Sequence, residues 1–70
     1  MNKATVEITI PVYNEEQELK QNIEILHSFC KKHLGRYAWH ITIADNASTD
    51  NTPVVGALLA KKYPTVSLFA

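Results

Sequence analysis

The chain has 70 residues, 46% hydrophobic and 20% charged, with a formal net charge of zero. That balance describes a globular chain at the small end, where burial barely offsets the entropy of ordering. It carries no electrostatic footprint for nucleic acid or for an anionic membrane surface, and no like-charge run is longer than Glu15-Glu16 or Lys31-Lys32.

Residues 1–4 read as a polar lead-in, and the single cysteine, Cys30, rules out an internal disulfide. Met1-Asn2-Lys3 does not resemble the start of a signal peptide, so the reducing cytoplasmic side is the expected location. The apolar runs fall far short of a membrane span, which leaves any association with the cytoplasmic face of a membrane to sequence beyond residue 70.

The first strand is expected over roughly Val6 to Val12, where β-branched Val6, Ile8, Ile10 and Val12 alternate through Thr9 and Pro11 lies near the end. Asn14 then reads as a helix N-cap, Gln17 completes a capping-box pattern, and Glu15 and Glu16 suit the positive end of the helix dipole. The helix is expected from about Glu15 to Leu34, with Leu19, Ile23, Leu26 and Cys30 facing the sheet and Ile25 and Phe29 widening that stripe. Lys31, Lys32 and His33 suit its negative end, and Gly35 is the natural left-handed cap.

After a connection over Arg36 to Trp39, His40-Ile41-Thr42-Ile43-Ala44 reads as a second buried strand ending at Asp45. Asp45 through Pro53 is a dense cluster of turn and cap formers, with Pro53 at or near the first position of a shorter second helix. Val54, Val55, Leu58, Leu59 and Lys62 mark that helix, and Tyr63-Pro64 ends it. Thr65 to Ala70 supplies a third strand.

The fold class is therefore α/β, a β-α-β-α-β unit with a parallel sheet and right-handed crossovers. In a Rossmann-like winding the second strand pairs with the first, the third lies outside the second, and the loops at Tyr13 and Asp45 open side by side. A buried parallel sheet is normally covered on both faces, so residues 1–70 are expected to be an incomplete domain. The rival is a small complete domain that dimerises over its open sheet edge.

Tyr13, Asn14 and Glu15 at one strand end, with Asp45 and Asn46 at the next, bring an aromatic face, carboxylate acceptors and amides to one crevice. A nucleoside fits that set, because its base can stack and its ring N–H and ribose hydroxyl groups can donate to carboxylates. Each residue also has a plainer job: Asn14 and Glu15 cap a helix, and Asp45 to Asp50 make a turn. With Gly35 and Gly56 the only glycines, neither G-x-G-x-x-G nor a P-loop can be written. His27 and His33 fall on different faces of one helix and His40 on the next strand, so packing or surface roles outweigh metal binding. Tyr37 and Trp39 read as packing residues, and Cys30 as an inert part of the core.

Ile10-Pro11-Val12-Tyr13-Asn14-Glu15-Glu16, followed by Ile43-Ala44-Asp45-Asn46-Ala47-Ser48-Thr49-Asp50-Asn51-Thr52, closely resembles the opening of family 2 glycosyltransferases, particularly dolichyl-phosphate and polyprenyl-phosphate sugar transferases. The resemblance covers nearly the whole chain. It implies a GT-A fold of which this segment is the N-terminal, nucleotide-binding part. It also implies that Pro11 and Tyr13 line the base pocket, that Glu15 approaches the ribose or base, and that Asp45 contacts the base. The implied activity is inverting transfer of a sugar from a UDP- or GDP-sugar donor to a lipid-phosphate or glycan acceptor.

Two positions depart from the family pattern. Asn46 replaces a frequent aspartate, keeping hydrogen bonding but losing a charge, and Ala47 replaces the usual glycine, which costs energy if the position needs positive φ. The family's Asp-x-Asp-type site for Mg²⁺ or Mn²⁺ and its general base are expected beyond Ala70, and Asp45 and Asp50 do not form that motif. No catalysis is expected from these residues alone. The alternative of another class is a non-catalytic α/β interaction or regulatory domain. A phosphoacceptor domain using Asp45 fits less well, because its first strand should end in an acidic pair rather than Val12-Tyr13-Asn14.

Overall fold

The computed structural model describes residues 3–70. Five elements follow in the order β1 (Thr5–Val12), α1 (Leu19–His33), β2 (Ala38–Asp45), α2 (Thr52–Lys62) and β3 (Val66–Phe69). The strands are parallel and ordered β1-β2-β3, so β2 is central. Two right-handed crossovers that step in the same direction place both helices on one face of the sheet. The burial pattern agrees: Val6, Ile8, Ile10 and Val12 turn inward while Thr5, Glu7, Thr9 and Pro11 are exposed.

The core is Val12, Leu19, Ile23, Cys30, Ile41, Ile43, Leu59 and Val66, with the two isoleucines of β2 fully covered. Cys30 is wholly buried, and burial pushes its thiol pKa up, in keeping with an inert role. His27 packs between Trp39, edge-on at 5.2 Å, and Tyr63 at 4.1 Å between ring centroids. Burial, followed by the charges of Lys31 and Lys62, lowers its pKa, so the neutral ring is favoured there. Glu24 and Lys62 join the helices by an ion pair at 2.9 Å.

The opposite face of the sheet is open and polar. Thr42 Oγ1 donates to Glu7 Oε1 at 3.0 Å, and His40 Nε2 lies 2.8 Å from Ser67 Oγ. Pro11 is tolerated in β1 for a geometric reason. The carbonyls of Ala4 and Val12 both accept from the β2 side, so strand alternation turns the Pro11 nitrogen toward the unpaired edge, where no N–H is required.

Several boundaries differ from the sequence expectation. Helix α1 begins at Leu19 rather than Glu15; its N-cap is Glu18, without a side-chain capping bond. Asn14 has φ 49, outside the β region an N-cap needs, and its side chain is engaged in the neighbouring loop, so the expected capping box does not form. At the other end Leu34, not a left-handed Gly35, closes the helix, its N–H donating to Cys30 O at 2.8 Å; no described glycine has positive φ. Ile25 and Phe29 do not widen the buried stripe and are 61% and 53% exposed. Because Glu24 and His27 face α2, helical periodicity puts these two residues on the far flank, with no described element over it.

Strand β2 starts two residues early, at Ala38, because its N–H pairs with Ala4 O at 2.9 Å. Helix α2 carries Pro53 in its first turn and ends at Tyr63, whose extended φ −116 and ψ 116 precede Pro64 as the sequence requires. No helix among the described residues is long and apolar enough to cross a membrane.

Candidate functional site

The register of β1 and β2 builds the site. Val12 pairs with Asp45, so Tyr13 and Asn46 leave the sheet side by side at its carboxyl edge, and Asn46 N–H donates back to Val12 O at 2.9 Å. Two loops, 13–18 and 46–51, start there and are stitched together by side chains.

Asn14 supplies one seam. Its N–H donates to Ser48 Oγ at 2.9 Å, and its Oδ1 accepts the N–H groups of Thr49 at 2.8 Å and Asp50 at 3.3 Å. Ser48 in turn donates its hydroxyl to Asp45 Oδ1 and its N–H to Asp45 Oδ2, the latter at 3.2 Å. Thr52 and Asp50 supply the second seam. Glu15 N–H donates to Thr52 Oγ1 at 2.8 Å and Glu16 N–H to Asp50 Oδ2 at 3.3 Å, while Thr52 donates both its hydroxyl and, at 2.9 Å, its N–H to Asp50 Oδ1. Desolvation pulls the Asp50 pKa up, but the bonds from Thr52 and the Glu16 amide outweigh it, and the net shift is downward.

The structure brings Tyr13, Asn14, Glu15, Asp45 and Asn46 to one edge, with Pro11 just inside it, exposed on the open face opposite Ala44. Tyr13 is 56% exposed, and its N–H donates to Glu15 Oε2 at 3.3 Å. Glu15 and Asp45 are half-buried, and Asn46 is exposed. Ser48, Asp50 and Thr52, expected only as turn and cap formers, are the residues that hold the loops. Their signal is the spacing Asp45-x-x-Ser48 and Asp50-x-Thr52, in which a carboxylate meets a hydroxyl and an amide a few residues on.

Ala47 has φ 57, the left-handed conformation that penalises a side chain. Ala47→Gly is therefore expected to raise the unfolding free energy by about 0.5–1 kcal/mol, the relief of that strain less the added freedom of the unfolded chain. Urea titration of the full-length polypeptide checks this, and a loss of stability would show that the Ala47 methyl contributes packing worth more than the strain.

Among the described residues no three His, Cys, Asp or Glu side chains converge as metal ligands. Asp45 and Asp50 are both engaged by hydroxyl and amide donors. This set does not fit a divalent cation.

The model of the family described as Glycosyl transferase family 2 matches residues 7–70. The chain belongs to that family, whose chemistry is glycosyl transfer, and its three parallel strands and two helices fit the N-terminal Rossmann-like unit of a GT-A fold. No curated protein and no solved structure gives a significant match.

Proposed function

We propose that residues 1–70 are the nucleotide-binding portion of a larger glycosyltransferase domain. In this reading the enzyme transfers a sugar from a UDP- or GDP-sugar to a lipid-phosphate or glycan acceptor with inversion. The observation that carries the reading is the Val12–Asp45 pairing, which opens two cross-linked loops at one strand edge with an exposed aromatic beside a carboxylate. Crevices at the carboxyl ends of parallel strands are where open α/β sheets bind ligands.

Tyr13 offers its exposed ring for stacking against the base, with Pro11 beside it. An ionised carboxylate has about four acceptor positions, and Ser48 takes two on Asp45, so two remain for ring N–H groups. Glu15 keeps Oε1 free of the Tyr13 amide and can accept from a ribose hydroxyl; Asn46 adds an amide at the same edge. The general base, and the ligands of any Mg²⁺ or Mn²⁺ on the donor diphosphate, belong to the rest of the proposed domain, as does any attachment to the cytoplasmic face of a membrane. The family match supports this reading, and no feature of the site favours the non-catalytic interaction domain.

Titration calorimetry of the full-length polypeptide with UDP and GDP, with Mg²⁺ and Mn²⁺ supplied, tests it. One nucleotide is expected to bind, and Tyr13→Ala to weaken it about fivefold through loss of a stacking contact of order 1 kcal/mol. Absence of binding by both nucleotides would overturn the reading, and wild-type affinity in the variant would reduce Tyr13 to packing.

A further inference from the structure

We infer that Asn14 is a positioning residue, which sets the Asp45 carboxylate by clamping the two loops and does not itself contact the ligand. The inference rests on the nucleotide reading of the crevice, and the clamp is visible without it. Asn14 sits at φ 49, a conformation that asparagine tolerates better than most residues with a side chain. That backbone turn aims its N–H at Ser48 Oγ, 2.9 Å away, and leaves the Ser48 hydroxyl proton to Asp45 Oδ1. Ser48 N–H holds the other oxygen, Oδ2, at 3.2 Å, so both oxygens of the carboxylate are fixed by one residue that Asn14 itself holds.

The side chain acts on the same loop. Asn14 Oδ1 accepts two consecutive backbone N–H groups, Thr49 at 2.8 Å and Asp50 at 3.3 Å, with Thr49 Oγ1 at 3.4 Å. An amide oxygen has two lone pairs, and the two N–H groups fill them. Glu15 and Glu16 engage the second loop farther along, through Thr52 and Asp50, and neither bonds Ser48. Of the residues in the first motif, Asn14 alone is linked by hydrogen bonds to the Asp45 carboxylate through one intermediary side chain.

Three substitutions separate clamp from contact. Asn14→Gly keeps the positive φ and the N–H but removes the Oδ1 acceptor. Asn14→Asp keeps an acceptor and removes the amide donor, the group a direct ligand contact would use. Ser48→Ala removes the relay. Two readouts are taken on the full-length polypeptide at low and at high salt, so that repulsion by the charge added in the aspartate variant shows as a salt-dependent loss: hydrogen exchange at Thr49 and Asp50 N–H, and UDP and GDP affinity by calorimetry.

The glycine variant is expected to lose protection at both amides and to bind about tenfold more weakly, as loss of one or two hydrogen bonds implies. The aspartate variant is expected to recover both, and Ser48→Ala to show the weaker binding with Thr49 and Asp50 still protected. Unchanged affinity in Asn14→Gly despite lost protection would overturn the positioning role, as would an aspartate variant that recovers protection but binds weakly at both salt concentrations. If the wild type binds neither nucleotide, the proposed function fails; intact protection in the glycine variant would by itself refute the clamp.

Discussion

Thr52→Val is expected to lower the unfolding free energy by about 1–3 kcal/mol, a large effect for a change that preserves side-chain shape. Among the described residues Thr52 is the one buried polar side chain, with 0% exposure. Its hydroxyl accepts Glu15 N–H at 2.8 Å and donates to Asp50 Oδ1. Valine fills the same space, so no cavity opens, but the Glu15 N–H is left unpaired, which costs about 1–3 kcal/mol. The Asp50 carboxylate also loses a donor, and deleting only the methyl in Thr52→Ser costs about 1 kcal/mol.

The ordering of the two variants is the decisive measurement. Serine should be milder than valine in urea unfolding, and the reverse order would mean that packing at this site outweighs the hydrogen bonds. The two should also differ in acid. The folded pKa of Asp50 is depressed, so its contribution is complete above the unfolded value near 3.8 and is lost as pH falls through the folded value. Thr52→Val removes one of the bonds that depress it and should weaken that acid dependence, while Thr52→Ser keeps it.

The elements were readable in the sequence where their cause is local. Alternation through Val6, Ile8, Ile10 and Val12 defines β1 because one face meets the helices and the other is open. Tyr63-Pro64 ends α2 because the proline restricts the residue before it. The start of α1 was not readable, since the Asn14 signal is that of a cap while its side chain bonds Thr49 and Asp50 in a loop brought near only by the sheet. Ile25 and Phe29 carry helical periodicity without saying which flank is covered. At the candidate site the residue types at the two strand ends were enough to place Tyr13 and Asp45 at one edge of the sheet. The work of Ser48 and Thr52 was hidden, because each hydroxyl joins a near neighbour to an amide from the other loop.

Asp45→Ala is expected to weaken UDP or GDP binding about ten- to a hundredfold while leaving the fold in place, since a hydrogen bond to a charged group contributes about 1.5–3 kcal/mol. The fold survives because Asp45 is the last residue of β2, half-buried and outside the apolar core, so water can reach the Ser48 N–H and hydroxyl that it releases. A melting temperature close to wild type is therefore part of the expected result. Ser48→Ala keeps the charge and removes the hydroxyl that orients it, and should give the smaller loss of affinity. Equal losses in the two variants would mean that Asp45 acts only by shaping the 46–51 loop. Unchanged affinity for both nucleotides in Asp45→Ala would remove Asp45 from the pocket and with it the acceptor that distinguishes this edge from an ordinary pair of turns.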